Sequence, residues 1–373
     1  MSNLKTPFRY DFVGSFLRPE KLKKARRQFD EGSIDYAALK KVEDEAVTEL
    51  VAKTKELGYH VITDGEFRRA TWHLDFMWGF EGIGHAPTKM GLPFHGEAAM
   101  IDDTYIVGKI GLSKEHPFVD HFRFVKALED ENTVAKQTMP APAQFLAQFT
   151  MPFNRPATDE VYSSDEELVD DIVAAYGKVI DDLYAAGCRN IQLDDCTWGM
   201  FADKIGYTLY GTTKEGIIDF QKSHKDINNR VIANAPSDMI INTHVCRGNF
   251  HSTYASEGAY DSVADILFGE ENVNAYFLEF DDERSGGFAP LAKVSGDKKV
   301  VLGLITTKSP LLENKELVIN RIKEASKYIP LDRLYLSPQC GFASCEIGNK
   351  LTEEEQWNKL RLVKEIAEEV WGC

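Results

Sequence analysis

Short apolar runs rich in β-branched residues alternate along the chain with longer segments in which apolar residues recur every three or four positions. Runs of the first kind are typical of buried parallel strands, and segments of the second kind are typical of helices packed on a sheet. Eight such runs are found: Phe8–Phe16, His60–Phe67, Val134–Pro140, Asn190–Cys196, Ile241–Cys246, Ala275–Asp281, Lys299–Thr306 and Leu334–Cys340. The alternation predicts an α/β fold, a single closed (β/α)8 TIM barrel over residues 1–373.

Several helical segments between the runs have readable boundaries. The clearest, Ser164–Ala186, begins with a Ser-x-x-Glu capping box and ends at Gly187. Its apolar residues follow the spacing that a helix needs to pack on a sheet. Lys315–Tyr328 and Glu353–Trp371 show the same pattern, and the second of these is expected to be the outer helix that closes the barrel.

One segment between strands two and three departs from the alternation. Phe76–Glu115 is rich in Gly and His, and Ala99–Ile110 within it predicts a hairpin. Loops of this length usually carry function or are mobile, so we expect an excursion over the barrel mouth, with a disordered loop as the alternative. The glycines at Gly79–Gly84 do not indicate a dinucleotide site, because they neither follow a clear strand nor open a helix.

Composition and charge limit the classes of partner that the protein can bind. The chain is 43% hydrophobic, enough for a large core, and its formal net charge of −16 would repel the phosphates of a nucleic acid. We find no stretch of 18 apolar residues and no secretory pattern at the start, so we expect a cytoplasmic protein without a membrane partner, and a homo-oligomer is possible. Six scattered cysteines favour free or metal-bound thiols over a disulfide framework.

Four potential metal ligands lie near the ends of three predicted strands. His244 and Cys246 alternate along strand five and therefore face the same side. Glu279 interrupts an apolar run at the end of strand six, where an unpaired charge would be costly, and Cys340 ends strand eight. The carboxyl ends of barrel strands converge, so the pattern predicts one zinc ion per chain. The alternative is a hydrogen-bonded core histidine with buried cysteines.

The other strand ends are polar and indicate a pocket for an amino acid. A carboxylate such as Glu66 or Asp194 suits an ammonium group, whereas Arg18 and the amides of residues 14 and 15 suit a carboxylate. Alternatively, each of these residues caps a following helix. The candidate substrate-binding residues are Gly14, Ser15, Arg18, Glu66, Asp194, Asp195 and Trp198.

As a set, these residues resemble the C-terminal catalytic barrel of cobalamin-independent methionine synthase, over nearly the whole chain. The motifs occur in the same order: VGSFLRP at Val13–Pro19, DGEF at Asp64–Phe67, QLDDC at Gln192–Cys196, HVC at His244–Cys246, FLEFDDERS at Phe277–Ser285 and PQCGF at Pro338–Phe342. The resemblance implies that zinc on His244, Cys246, Glu279 and Cys340 activates the homocysteine thiol, which a donor methylates to methionine. It also implies that Ser15, Glu66 and Asp194 bind the amino and carboxylate groups of homocysteine.

Three departures from the family pattern concern the methyl donor. Full-length members carry an additional N-terminal barrel for polyglutamylated folate, which we expect this chain to lack. Gln148 stands nearest the position of a pterin-stacking tryptophan, and Lys308 replaces an acid histidine after strand seven. The chain thus resembles the short single-barrel branch, with methylcobalamin or a small methylated compound as possible donor. Lys308 and Asp194 are the candidate catalytic residues.

Other functions stay open at this point. Another zinc-dependent alkyl-thiol transferase, such as an enzyme acting on coenzyme M, would use the same thiol activation. A barrel lyase of the uroporphyrinogen decarboxylase type would need no zinc but an arginine-rich mouth, whereas this mouth collects Glu66, Asp194 and Glu279. A noncatalytic zinc or thiol-binding protein is the third alternative, which an assay would exclude.

Overall fold

A computed structural model describes residues 4–372. The strands are β1 Val61–Ile62, β2 Glu81–Ala86, β3 Leu92–Phe94, β4 Glu97–Ala99, β5 Asp103–Gly111, β6 Val134–Ala135, β7 Gln137–Pro140, β8 Asn190–Asp195, β9 Ile240–Val245, β10 Ala275–Glu279, β11 Lys299–Ile305 and β12 Leu334–Pro338. The helices are α1 Glu20–Asp30, α2 Tyr36–Glu56, α3 Leu74–Met77, α4 Pro117–Lys126, α5 Pro142–Thr150, α6 Arg155–Asp159, α7 Asp165–Ala185, α8 Thr197–Ala202, α9 Ile205–Leu209, α10 Ile217–Asn234, α11 Ala264–Glu270, α12 Lys315–Ala325 and α13 Glu353–Trp371.

Six parallel strands form the main sheet, in the order β12, β11, β10, β9, β8, β7. β1 pairs in parallel with β6, which is separated from β7 by one residue. Residues 9–16 run between the two ends of this arrangement. Tyr10 forms a parallel bridge with Leu336 of β12, and the Phe16 N–H donates to the Gly65 carbonyl at 3.0 Å, just beyond β1. Backbone contacts therefore lead from the last strand, through residues 9–16, to the first.

The α/β fold with a parallel sheet is confirmed, and the last six predicted runs all contain strands. The first two are less regular than predicted. Phe8–Phe16 contributes a single bridge, and His60–Phe67 forms a strand only at Val61–Ile62. Strand β1 cannot extend much further, because Gly65 and Glu66 both adopt left-handed backbone, with φ of 65° and 61°.

The segment between strands two and three is folded, but the predicted hairpin at Ala99–Ile110 is wrong. Instead, β5 pairs antiparallel with β2, and β3 pairs with β4 across the two residues His95 and Gly96. Gly96 has φ 84°, which a two-residue turn of this kind favours. The hairpin turn is therefore at His95 and Gly96, before the predicted segment, and most of that segment belongs to the long strand β5.

The capping box predicted at the start of α7 is half formed. Ser164 accepts a hydrogen bond from the backbone N–H of Glu167, but the Glu167 carboxylate accepts from Ser163 instead of the Ser164 N–H. A complete capping box, which was not predicted, joins Thr352 and Glu355 before α13. Helix α12 ends at Ala325, earlier than the predicted Tyr328. No helix within residues 4–372 combines the length and the apolar character that a membrane crossing requires.

Candidate metal centre and substrate cavity

The four predicted metal ligands come together at the carboxyl ends of β9, β10 and β12. His244 lies in β9 and Cys246 directly follows it, Glu279 is the last residue of β10, and Cys340 lies two residues beyond β12. All four side chains are buried, and their ligand atoms lie within 4.8 Å of one another. The parallel register puts the strand ends side by side, so this group could hold a metal ion.

Two separations within the group match those of ligands on a tetrahedral zinc ion. The Sγ atoms of Cys246 and Cys340 are 3.7 Å apart, and Nε2 of His244 is 3.4 Å from Sγ of Cys340. Zinc bonds of about 2.0 to 2.3 Å at tetrahedral angles give ligand separations of about 3.4 to 3.8 Å. Nδ1 of His244 lies 3.1 Å from the Phe277 carbonyl, an outer contact that orients the ring and leaves Nε2 toward the cysteines.

Glu279 supplies an anion with one oxygen unengaged. Its Oε1 accepts the Arg247 backbone N–H at 3.0 Å, whereas the buried Oε2 has no hydrogen-bond partner and lies 3.9 Å from Nζ of Lys308. Burial raises the pKa of Glu279, but Lys308, Arg247 and His244 outweigh it and bring the pKa below the ordinary value. A buried carboxylate oxygen without a partner is costly, so this atom is suited to a ligand.

A cavity opens beside the metal-ligand group, with an empty volume of about 1270 Å³ that includes its solvent-filled mouth. Its polar part is lined by residues of the first, second and fourth predicted strands, namely Ser15, Glu66, Asp194 and Cys196. The predicted metal ligands His244, Cys246 and Cys340 line the same cavity.

Two carboxyl groups in this polar part are held on one side and free on the other. Oδ1 of Asp194 accepts a hydrogen bond from Nε2 of Gln192 at 2.8 Å. Oε1 of Glu66 accepts a hydrogen bond from Oγ1 of Thr138 at 3.0 Å and lies 3.3 Å from the Arg69 guanidinium. Oε2 of Glu66 is buried without a partner. Burial raises the pKa of both groups to about 7, and the charge of Asp194 adds to the rise at Glu66. A cation between them would favour the ionised forms.

Ser15 reaches the cavity because a glycine stands opposite it. A Cβ atom on Gly341 would lie 1.9 Å from Oγ of Ser15, far inside contact distance. The Phe342 N–H donates to the Ser15 carbonyl at 2.9 Å, so the chain after β12 packs directly on the predicted strand-one segment. Gly341 is therefore required for the position of Ser15.

Arg18 is placed differently from the expectation. Its guanidinium donates to the backbone carbonyls of Phe16, Glu66, Arg69 and Ala343 at 2.5 to 3.1 Å, and only 2% of the residue is exposed. These bonds connect three loops. Because the side chain is buried and does not line the cavity, it is not available to a substrate carboxylate.

Four other candidates also lie outside the cavity lining. Gly14 packs against Thr138, and Trp198 is fully buried in the core. Asp195 is buried, and its oxygens accept hydrogen bonds from Thr197 and Asn228. Lys308 is buried beside Glu279 and not in the cavity wall. Of the seven candidate substrate-binding residues, the structure brings Ser15, Glu66 and Asp194 together at the cavity.

No pattern in the sequence identified the part of the cavity wall that the β3–β4 hairpin forms. Leu92, Pro93 and Phe94 of this hairpin line the cavity. It is fastened to the loop after β9: the His95 N–H donates to the Tyr254 carbonyl at 2.8 Å, and the rings of Phe94 and Phe250 are 5.3 Å apart. The expectation of an excursion over the mouth located this wall without identifying its residues.

Comparison with known proteins places the chain in a family. Residues 154–369 match the family model described as the catalytic domain of cobalamin-independent synthase. The chain is 43% identical to the uncharacterized protein YxjG of Bacillus subtilis (strain 168), over 98% of this chain and 96% of that protein. It is 24% identical to a methionine synthase of Saccharolobus solfataricus, over 96% and 94% of the two chains.

Two solved structures agree with this result. A putative vitamin-B12 independent methionine synthase from Listeria monocytogenes superposes with a TM-score of 0.78 at 35% identity and full coverage of both chains. A B12-independent methionine synthase from Shewanella sp. W3-18-1, in complex with selenomethionine, has a TM-score of 0.70 at 19% identity over 96% of each chain, and shows a shared fold. The chain belongs to the cobalamin-independent methionine synthase family of methyltransferases.

Proposed function

We propose that the protein is a zinc-dependent methyltransferase that converts homocysteine to methionine, in one closed (β/α)8 barrel spanning residues 1–373. The observation that carries the proposal is the buried group His244, Cys246, Glu279 and Cys340, which could hold a metal ion. Three of these residues, His244, Cys246 and Cys340, line the same cavity as the carboxyl groups of Glu66 and Asp194. The backbone contacts of residues 9–16 with both ends of the sheet support a closed barrel.

The four ligands would hold zinc, whose charge lets a bound thiol ionise near neutral pH. The chain fixes these ligands from outside. The Phe277 carbonyl orients His244, and the Arg247 N–H holds one oxygen of Glu279. Lys308 lies beside the other oxygen of Glu279, and its position supports the role of stabilising the ionised carboxylate.

The polar part of the cavity would orient the amino acid. Asp194 and Glu66 would bind the homocysteine ammonium, and Ser15 would contact its carboxylate. Ionised Asp194 and Glu66 repel each other in a buried site, so an ammonium between them removes a cost that the empty protein bears. The bound thiol would then lie near the cysteines, where it can attack a methyl group.

A lyase of the uroporphyrinogen decarboxylase type is not favoured. Its anionic substrate would require arginines free to face the cavity. Arg18 is engaged by four backbone carbonyls, and Arg247 donates to the carbonyls of Gly258 and Glu279 and to the Tyr260 hydroxyl.

The test compares two buried cysteines. Cys340→Ser should lose zinc and methyl transfer to homocysteine, because a hydroxyl is a poor zinc ligand. Cys188→Ser is the matched control, since Cys188 is fully buried but is hydrogen-bonded only to the Asn190 carbonyl among the described contacts. Zinc is measured by elemental analysis of protein purified without chelator. Wild-type protein without zinc, or Cys340→Ser with full zinc and rate, would contradict the proposal.

A further inference from the structure

We infer that the methyl donor is a cation of the sulfonium class, bound in the apolar half of the cavity beneath the β3–β4 hairpin. The donor assignment rests on the proposed methyl transfer to homocysteine. In the step, the thiolate sulfur gives an electron pair to the methyl carbon as the bond from that carbon to the sulfonium sulfur breaks. The released pair stays on that sulfur, and a neutral thioether leaves without any proton transfer.

The first support is the apolar character of the part of the cavity wall that carries no metal ligand. Side chains from the hairpin, the segment after α5 and helices α8 and α9 form it, namely Leu92, Phe94, Met151, Phe153, Met200 and Leu209. Such a wall binds apolar substituents and offers few partners to a polar donor. The aromatic rings are suited to a cation, and the thioethers of methionine adapt to a bulky sulfur group.

The second support is the charge of the cavity. Among the described residues that line it, Arg247 is the only one with a permanent positive charge, and its guanidinium is engaged by carbonyl and hydroxyl oxygens. Glu66 and Asp194 line it as acids. The incoming nucleophile is also anionic. These charges attract a cationic donor and disfavour a polyanion such as a folate polyglutamate.

The third support is the scarcity of proton donors. A methyl donor that departs as an amine anion needs an acid at the leaving atom. His73 lines the cavity, but burial lowers its pKa to about 3, and burial raises the pKa of Cys345 to about 12. Lys308 lies outside the lining, and Glu66 and Asp194 are committed to the substrate ammonium. A sulfonium donor needs no acid, because its leaving group departs neutral.

The experiment uses zinc-loaded protein with homocysteine and a probe pair that lacks an amino-acid group. Hexyldimethylsulfonium labelled with CD3 is the donor probe, and hexyl methyl sulfide is its neutral counterpart. We expect the sulfonium to bind at least tenfold more tightly than the sulfide and to yield CD3-methionine by mass spectrometry above the uncatalysed rate. Methyltetrahydrofolate triglutamate should give a lower rate.

Each result separates the two proposals. If homocysteine does not bind to the zinc-loaded protein, the proposed function fails. If homocysteine binds, then equal affinity for the sulfonium and the sulfide, binding without methyl transfer, or transfer only from the folate or methylcobalamin overturns the sulfonium assignment alone.

A charge placed in the wall tests the location. Met200 is half-buried in α8, so Met200→Lys can be accommodated at the mouth. We expect it to bind the sulfonium at least tenfold more weakly than Met200→Leu, the neutral variant at the same position. Homocysteine affinity should differ less between the two variants than sulfonium affinity does. Leu209→Lys is a second variant should the first not fold, and unchanged sulfonium affinity in a folded lysine variant would place the donor elsewhere.

Discussion

The substitution Asp194→Asn should stabilise the substrate-free protein and weaken its binding of homocysteine. Burial raises the pKa of Asp194 from 3.8 to about 7, so its ionised form is disfavoured in the folded state. For such a group, stability is lost as the pH rises from the unfolded pKa of 3.8 to the folded value near 7. At about 1.36 kcal/mol per pKa unit, the difference amounts to about 4 kcal/mol at pH 8 and to about 2 kcal/mol at pH 5. Asparagine removes this cost and can still accept the Gln192 hydrogen bond at Oδ1.

The assay is urea unfolding of wild type and Asp194→Asn at pH 5 and pH 8 with matched zinc content. We expect the gain in the free energy of unfolding to be larger at pH 8, with about 4 kcal/mol as its upper bound. Homocysteine affinity should fall by about tenfold or more, because a charge-assisted hydrogen bond contributes about 1.5 to 3 kcal/mol. A thiol without an amino group should lose little affinity.

Asp195→Asn is the matched control. Asp195 accepts hydrogen bonds on both oxygens, from Thr197 and from Asn228, so the new amide N–H groups would face the Asn228 donor. Burial raises the pKa of Asp195 too, but the amide would lose the hydrogen bond from Asn228, so we expect this variant to gain less stability than Asp194→Asn. Its homocysteine affinity should stay unchanged within about threefold on the scale of hydrogen-bond effects. An Asp195→Asn stabilised as much as Asp194→Asn, or an Asp194→Asn with no gain at pH 8 and equal losses for both thiols, would refute the reasoning.

Three further predictions concern the same site. Methionine, which has the ammonium group but no thiol, should bind more weakly as the pH falls below about 7, because Glu66 and Asp194 have pKa values raised to about 7 and must ionise; an affinity that is flat from pH 5.5 to 8 in calorimetry would contradict this. Gly341→Ala should lower homocysteine affinity by about tenfold or more, since its Cβ displaces Ser15, while zinc content stays full. Homocysteine binding should release about one proton near neutral pH with zinc and none after chelator treatment, as measured in buffers of different ionisation enthalpy.

The parts of the fold that follow from local periodicity were predictable from the chain. The runs that became β8 to β12 are continuous and apolar because both faces of a parallel strand are buried, and the capping residues of α7 and α13 act within one helical turn. The metal-ligand group was predictable for a similar reason. His244 and Cys246 are two residues apart on one strand, and Glu279 is a charge inside a buried run.

Contacts between distant segments decided the rest. Asp194 and Asp195 were both predicted to bind the substrate, but adjacent residues on a strand point to opposite faces, and only Asp194 lines the cavity. The register between β8 and β9 places Asp194 beside the metal ligand His244. The fate of Arg18 depended on carbonyls that three separate loops bring to its guanidinium.

The cavity wall depended on tertiary structure most of all. Leu92 and Phe94 lie in a hairpin whose apolar residues have no period that marks a ligand site, and the hairpin reaches the cavity through contacts with the loop after β9, more than 150 residues away along the chain. Sequence periodicity encodes which face of an element is buried, because burial repeats along one element. It does not encode which distant element covers that face, because that choice is made by packing between segments.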